Sequence, residues 1–306
     1  MVARHCTAAP IVVILLAISG ALQLRAHRDL SLRVAAYVAP NQGGWAIVAG
    51  GSDGLGAEWA AQLSARGLNL LLIARREEPL LEHAARIRAA HAGVEVATLA
   101  LDLALMTAED VEMRILGSRD VRVLVYNAAA TGPRGDFLAG SFAKSATAID
   151  VNVRGLLLLT HAFANRLHAS GVAGGIVLMS SLSGIVGSAF ISNYAATKSY
   201  ITTLARGLFV ELRSRQIDVL ACVAGPTTTP TYLKTLGEVA TRKLFIEQSA
   251  EDVVTECFAS LGREPSVETG ALNKIARSLF VRLLPVRMAA RIFSEQTGEQ
   301  MGFSLK

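Results

Sequence analysis

Between Trp45 and Val223 the chain alternates short apolar runs with longer helical stretches, and this alternation constrains the fold more than any other feature. WAIVA at Trp45 to Ala49 reads as a strand, and a helix follows from Gly54 through EWAAQLSARG. A second strand at Asn69 to Ala74 precedes a charged helix from Glu77 to His91. Further strands are predicted at Val94 to Leu101, Arg122 to Tyr126, Gly175 to Met179 and Ile217 to Val223, with a short seventh at Val267 to Ala271. Long helices are expected over Ser141 to Ala169 and Asn193 to Ser214, and Ser249-Ala250-Glu251-Asp252 reads as a capped helix start. Runs that are apolar throughout belong to strands buried on both faces of a sheet. Right-handed crossovers then give an α/β, doubly wound (Rossmann-type) fold: a mostly parallel sheet of about seven strands with helices on both faces. Ligands in such a fold bind at the carboxyl ends of the strands.

The composition is 52% hydrophobic and 18% charged, against about a quarter charged in ordinary soluble domains. A deeply buried sheet accounts for part of that excess, and a membrane segment for the rest. Residues 8–24 carry no charge, and about 17 residues is the lower limit for a helix spanning a bilayer. Arg4 and His5 precede this stretch; Arg25, Arg28 and Arg33 follow it. A retained anchor is favoured over a cleaved secretory signal or a helix packed on the domain, because the heavier positive flank favours a cytoplasmic domain. The expected organisation is an anchor or signal segment with its connector over 1–40, a Rossmann-type domain over 41–271, and a basic amphipathic extension over 272–306. In that extension Lys274, Arg277, Arg282, Arg287 and Arg291 recur among apolar residues, and Pro285 must break any helix. It suits a membrane interface, a pocket cover or a subunit contact equally well. The expected location is membrane-associated with the main domain cytoplasmic, at the endoplasmic reticulum in a eukaryote or the inner membrane in a bacterium.

The net charge of +5 is not gathered with aromatics, which argues against nucleic acid. Cys6, Cys222 and Cys257 form no CxxC pair and no framework, so buried or idle thiols are expected. None of the six histidines has convincing metal-ligand spacing, and no metal is assigned.

After the first strand come Gly50, Gly51, Ser52, Asp53, Gly54, Leu55 and Gly56. Glycines let the backbone turn sharply and approach a pyrophosphate, and a helix start supplies N–H donors and partial positive charge. A plain tight turn is the alternative, but the position between strand and helix favours a dinucleotide. The second strand ends in Ala74-Arg75-Arg76, with no acid to grip ribose hydroxyls. Guanidiniums there suit a 2′-phosphate, so NADP(H) is expected over NAD(H), unless Glu77 and Glu78 occupy the arginines.

After the fifth strand lie Ser180 and Ser181, and the next helix opens with Asn193-Tyr194-Ala195-Ala196-Thr197-Lys198. Residues four apart share a helix face, so phenol and ammonium address one pocket. A nearby cation lowers a phenol pKa from near 10 toward useful acid–base behaviour. Thr227 and Thr229 follow the sixth strand, where they would touch a nicotinamide carboxamide or cap the next helix.

Over about Trp45 to Ala271 these residues resemble the short-chain dehydrogenase/reductase family. Tyr194 and Lys198 match its YxxxK motif, and Ser181 its upstream serine. Residues 49–56 match TGxxxGxG, residues 126–129 match NNAG, and Asn152 the helix asparagine. The apolar leader, the GGSDGLGAEWA turn and Arg75 look most like the membrane-associated steroid and 3-oxoacyl-CoA reductase branch, and hence lipid metabolism. The resemblance implies Tyr194 as acid/base, Lys198 on the phenol and the nicotinamide ribose, Ser181 on the carbonyl and Asn152 supporting a water relay. It implies Gly50, Ser52, Gly54, Leu55, Gly56, Arg75, Asp102, Leu103, Asn127, Thr227 and Thr229 as cofactor contacts, with Asp102 at the adenine, and a homo-oligomer. Ala49 replaces the motif threonine, Tyr126 and Ala129 an Asn and a Gly of NNAG, and Ala224 the proline of a PG pair.

The expected activity is NADP-dependent interconversion of a carbonyl and an alcohol. An apolar substrate is expected because Tyr232, Leu233, Leu236, Phe280 and Leu284 would line the pocket. The motif departures motivate one alternative, a catalytically idle dinucleotide-binding scaffold or redox sensor at a membrane. The basic tail motivates another, a membrane-surface interaction protein.

Overall fold

The computed structural model of the chain describes residues 37, 43–233 and 247–305. Seven strands make the sheet: β1 (Trp45–Ala49), β2 (Asn69–Ala74), β3 (Val96–Ala100), β4 (Val121–Tyr126), β5 (Gly174–Ser181), β6 (Ile217–Ala224) and β7 (Ser266–Glu268). They lie in the order β3-β2-β1-β4-β5-β6-β7, with every pairing parallel. The order reverses between β1 and β4, which opens the crevice of a doubly wound sheet at the carboxyl ends. On β1, Ala46 and Val48 join one core cluster while Ile47 and Ala49 join the other. Both faces are therefore dry, which explains why the strands read as unbroken apolar runs.

Around the sheet lie α1 (Gly54–Ser64), α2 (Glu77–Ala90), α3 (Phe142–Ile149), α4 (Leu156–Ser170), α5 (Ser192–Leu212), α6 (Pro230–Leu233), α7 (Ala250–Ser260), α8 (Ala271–Arg282) and α9 (Val286–Met301). Their ends carry the expected chemistry. Asp53 caps α1 by accepting from the Gly54 N–H at 2.7 Å, and Ser249 Oγ caps α7 by accepting from the Asp252 N–H at 3.0 Å. Pro285 separates α8 from α9.

Three expectations need correction. The long helix over Ser141 to Ala169 is interrupted by a π-helical turn, Asp150–Gly155, between α3 and α4. A second π-helical segment, Asp110–Leu116, precedes β4 where no element was foreseen. Two of the three cysteines are not free thiols, because Cys222 of β6 and Cys257 of α7 form a disulfide across a sequence separation of 35, and Cys6 lies outside the described residues. The apolar stretch at 8–24 lies outside the described residues; among those described, no helix is long and apolar enough to cross a membrane.

Candidate active site

The turn after β1 is built by close approach. Gly50 has φ 85°, and a Cβ on it would lie 2.7 Å from the Ala128 nitrogen. A Cβ on Gly56 would lie 1.9 Å from the Gly50 carbonyl oxygen, so helix α1 can start directly beneath the turn only with glycine there. The motif threonine absent at Ala49 is replaced by bracing from the next loop. Asn127 and Ala128 donate backbone N–H groups to the Ala49 carbonyl at 2.9 and 2.8 Å, and Asn127 Nδ2 donates to the Gly50 carbonyl at 3.0 Å. Tyr126, another departure from the motif, is buried and donates to the Val151 carbonyl at 2.7 Å. It ties β4 to the π-helical turn, and burial pushes its phenol pKa up.

A groove of about 390 Å³ crosses the carboxyl ends of β3, β2, β1 and β4. Gly50, Ser52, Gly54 and Leu55 form its floor, and Asn127 and Tyr194 its inner end. Its other end holds Arg75, Arg76, Asp102 and Leu103. Neither arginine makes an ion pair among the described residues, so Glu77 and Glu78 do not occupy them. Gly56 lies under the turn rather than on the groove surface. This cradle, whose glycines leave no room for a Cβ against the turn, fits a dinucleotide.

A second cavity of about 300 Å³ adjoins the groove, and the two share Leu55, Asn127, Ala129, Tyr194 and Thr229. Tyr194 stands at the junction on the first turn of α5. Ser181 ends β5 and begins a short 3₁₀ turn, where its hydroxyl accepts from Ser183 Oγ at 3.1 Å and lines the same cavity as the Tyr194 phenol. Lys198, one helical turn on, is buried; its Nζ sits 5.5 Å from the Tyr194 ring centroid and donates to the Met179 carbonyl at 2.7 Å. Ser180 Oγ donates to the Lys198 carbonyl at 2.7 Å, locking β5 to α5. Asn152, in the π-helical turn, is fully buried and lines neither cavity. Its amide accepts from the Ala130 N–H and donates to the Ala130 carbonyl, both at 2.8 Å, and donates to Thr197 Oγ1 at 3.0 Å.

The electrostatics differ from expectation in one respect. Burial raises the Tyr194 pKa, and what opposes burial is the Ser181 hydrogen bond and the charge of Arg134, not Lys198. Burial also pushes the Lys198 ammonium down to about 8. A neutral phenol is the form that gives a proton.

Thr227 is buried and lines the second cavity, with Oγ1 donating to the Gly225 carbonyl at 3.0 Å. Thr229 lines both cavities and caps α6, accepting from the Tyr232 N–H at 3.2 Å. Of the apolar residues expected around the substrate, Tyr232 is present, while Leu233 is exposed and Leu284 does not reach the cavity. Leu236 and the Phe280 side chain lie outside the described residues. Met179, Leu182, Ile191, Phe293 and Met301 supply the apolar wall instead. The last two come from α9, so of the three roles open to the C-terminal extension, covering the pocket is the one observed. Hydrogen bonds from Ser188 Oγ to Thr297 Oγ1 at 2.7 Å and from the Ala189 N–H to Ser294 Oγ at 2.9 Å hold α9 in place. Arg134 and Gln300 also line this cavity, and nothing in their sequence context marked them.

Known proteins resemble this chain in sequence and fold. A 7beta-hydroxysteroid dehydrogenase from Clostridium sardiniense is 30% identical over 232 residues, covering 76% of this chain and 87% of that protein. A very-long-chain 3-oxoacyl-CoA reductase from Pyricularia oryzae is 32% identical over 181 residues, 58% of this chain and 54% of that one. Among solved structures, one from work on 7beta-hydroxysteroid dehydrogenase stereoselectivity superposes with a TM-score of 0.75 at 27% identity, covering 82% of this chain and 96% of that one. A short-chain dehydrogenase from Sphingobium yanoikuyae in complex with NADPH gives a TM-score of 0.65 at 28% identity, covering 74% and 87%. The family model for short chain dehydrogenase matches residues 44–237. The chain therefore belongs to the short-chain dehydrogenase family and is an NAD(P)-dependent oxidoreductase acting between carbonyl and alcohol.

Proposed function

We propose that this enzyme uses NADP(H) to interconvert a carbonyl and an alcohol on an apolar substrate, with Tyr194 as the acid/base. The observation that carries the reading is the position of Tyr194, where a dinucleotide-sized groove meets an apolar cavity that Ser181 also lines. The bound nicotinamide supplies or accepts the hydride. The chain's own residues handle the proton. In the reducing direction the Tyr194 phenol gives its proton to the carbonyl oxygen as negative charge develops there, and the Ser181 hydroxyl holds that oxygen in place. Lys198, fixed by the Met179 carbonyl, stands beside the ring, where the family resemblance puts it on the nicotinamide ribose. Asn152 acts at one remove, pinning Ala130 and Thr197 on either side of the site.

Preference for NADP(H) rests on Arg75 and Arg76, exposed at the groove and without ion-pair partners among the described residues. The NADPH-bound relative at 28% identity is in keeping with it. Attachment to a membrane through residues 8–24, with the catalytic domain facing the cytoplasm, is part of the proposal on sequence grounds alone; cell fractionation tests it. Self-association follows from the family, and light scattering of the purified enzyme tests that.

The decisive assay is NADPH oxidation with apolar ketones, steroids, retinoids, acyl-CoA substrates and aldehydes. Tyr194→Phe should lower kcat by roughly 10²–10⁴ while NADPH still binds. Tight NADPH binding with no turnover of any of these would reject the enzyme reading in favour of a scaffold or sensor.

A further inference from the structure

Arg134, a solvent-exposed cation, lines the substrate cavity together with Tyr194 and Ser181. Arg134 sits in the loop after β4, between Gly132 at φ 68° and Gly135 at φ 102°. The Gly135 N–H donates to the Phe190 carbonyl at 2.9 Å, and a Cβ on Gly135 would lie 3.3 Å from the Phe303 ring. Gly132 is as closely set, against Ala148 and Asn193. The backbone carrying Arg134 is thus pinned on both sides, yet its side chain makes no hydrogen bond or ion pair with another described residue. It shares this with Arg75 and Arg76 at the dinucleotide groove, whereas Arg114, Arg122, Arg154, Arg166 and Arg291 pair with acids. The nearest acid in sequence, Asp136, accepts from the Leu138 N–H instead.

Two further observations define what Arg134 faces. It lines the substrate cavity but not the dinucleotide groove, so it is not placed for the cofactor phosphates. No Asp or Glu lines that cavity among the described residues, while Met179, Leu182, Ile191, Phe293 and Met301 make its walls apolar. A guanidinium on an apolar wall with no acid is a receptor for a carboxylate-like anion, which its fork binds through two parallel hydrogen bonds. Its charge is also felt at Tyr194, so cation and phenol address the same space.

We propose that Arg134 is the specificity residue of this site and that the substrate is an apolar ketone or alcohol carrying an anionic group. Arg134 holds that group while the carbonyl lies at Tyr194 and Ser181; Gln300 adds a polar contact on the same wall. This rests on the reductase reading above and narrows its substrate class.

The test uses the full-length enzyme with saturating NADPH and a matched pair of probes: a 7-oxosteroid ending in a side-chain carboxylate, and its methyl ester. Binding is measured by calorimetry, and turnover in parallel. The wild type should bind the acid at least about tenfold more tightly than the ester, a modest return for a charged hydrogen-bonded pair. That preference should shrink with added salt. Arg134→Gln should remove the preference through acid affinity and KM, leaving ester affinity unmoved, and Arg134→Lys should keep part of it. Equal binding of acid and ester by the wild type, or no binding of either, overturns the proposal, as does a preference that survives Arg134→Gln. Equal turnover of the two probes would sink the anion site and leave the reductase standing. Arg134-dependent binding of the acid with no NADPH oxidation would do the reverse.

Discussion

Cutting the bond between Cys222 and Cys257 tests how the sheet is fastened to its outer helix. The two cysteines are separated by 35 positions and both are fully buried. In the chain-entropy account, closing a loop of that size in the unfolded state stabilises the fold by roughly 3.8 kcal/mol. For a domain this large, each kcal/mol moves the melting midpoint by about 2–4 °C, so complete reduction should lower Tm by roughly 8–15 °C. Reduced wild-type protein is the right comparison, because it keeps both sulfur atoms and loses only the link. Replacing both cysteines by alanine should cost about 1–2 kcal/mol more, since voids then open in the core cluster to which both belong. The first measurement is a thiol titration in denaturant without reductant. The chain has three cysteines, so one reactive thiol, that of Cys6, is expected. Three thiols would refute the bond. One thiol with coincident melting of oxidised and reduced protein would refute its mechanical importance.

Gly50→Ala places a Cβ against Ala128 at φ 85°, which should cost about 1–3 kcal/mol and weaken NADPH binding more than about tenfold; unchanged fluorescence titration would contradict it. Lys198 has a folded pKa of about 8, below its ordinary 10.5, so the folded chain holds fewer protons than the unfolded chain between those values. The cost of its charge is fully present below pH 8 and fades as pH rises. Urea denaturation should therefore show the wild type gaining on Lys198→Met by about 1.4 kcal/mol per pH unit at most over that window, and a flat difference would exclude it. Thr297→Val leaves the buried Ser188 hydroxyl without its 2.7 Å partner, which should cost about 1–3 kcal/mol and raise the substrate KM with NADPH affinity unmoved.

What could be read in advance follows the physics of each feature. Strands buried on both faces announce themselves as continuous apolar runs, so β1, β2, β5 and β6 were legible to within a residue or two of each end. Tyr194, Lys198 and Ser181 were legible as a set because a helical repeat and a strand end bring them together. The π-helical turn at Asp150–Gly155 was not, since a single widened turn leaves no mark in the hydrophobic pattern. The Tyr126 departure read as a loss, yet its hydroxyl gained the Val151 carbonyl across two elements distant in sequence. Cys222 and Cys257 meet only because α7 packs on β6. The amphipathic tail showed that it had an apolar face but not what that face would cover. The direction of the Tyr194 shift depended on burial outweighing charge, a balance that sequence does not display.

The last helix has a consequence for how such an enzyme could change its diet. Phe293, Thr297 and Met301 wall the cavity from a stretch of chain that supplies no proton donor, no glycine turn and no part of the dinucleotide groove. Exchanging that stretch would reshape the space a guest molecule meets while leaving the proton-handling residues untouched. Part of the enzyme's appetite is therefore written apart from its chemistry, and that part is free to drift while the chemistry stays put.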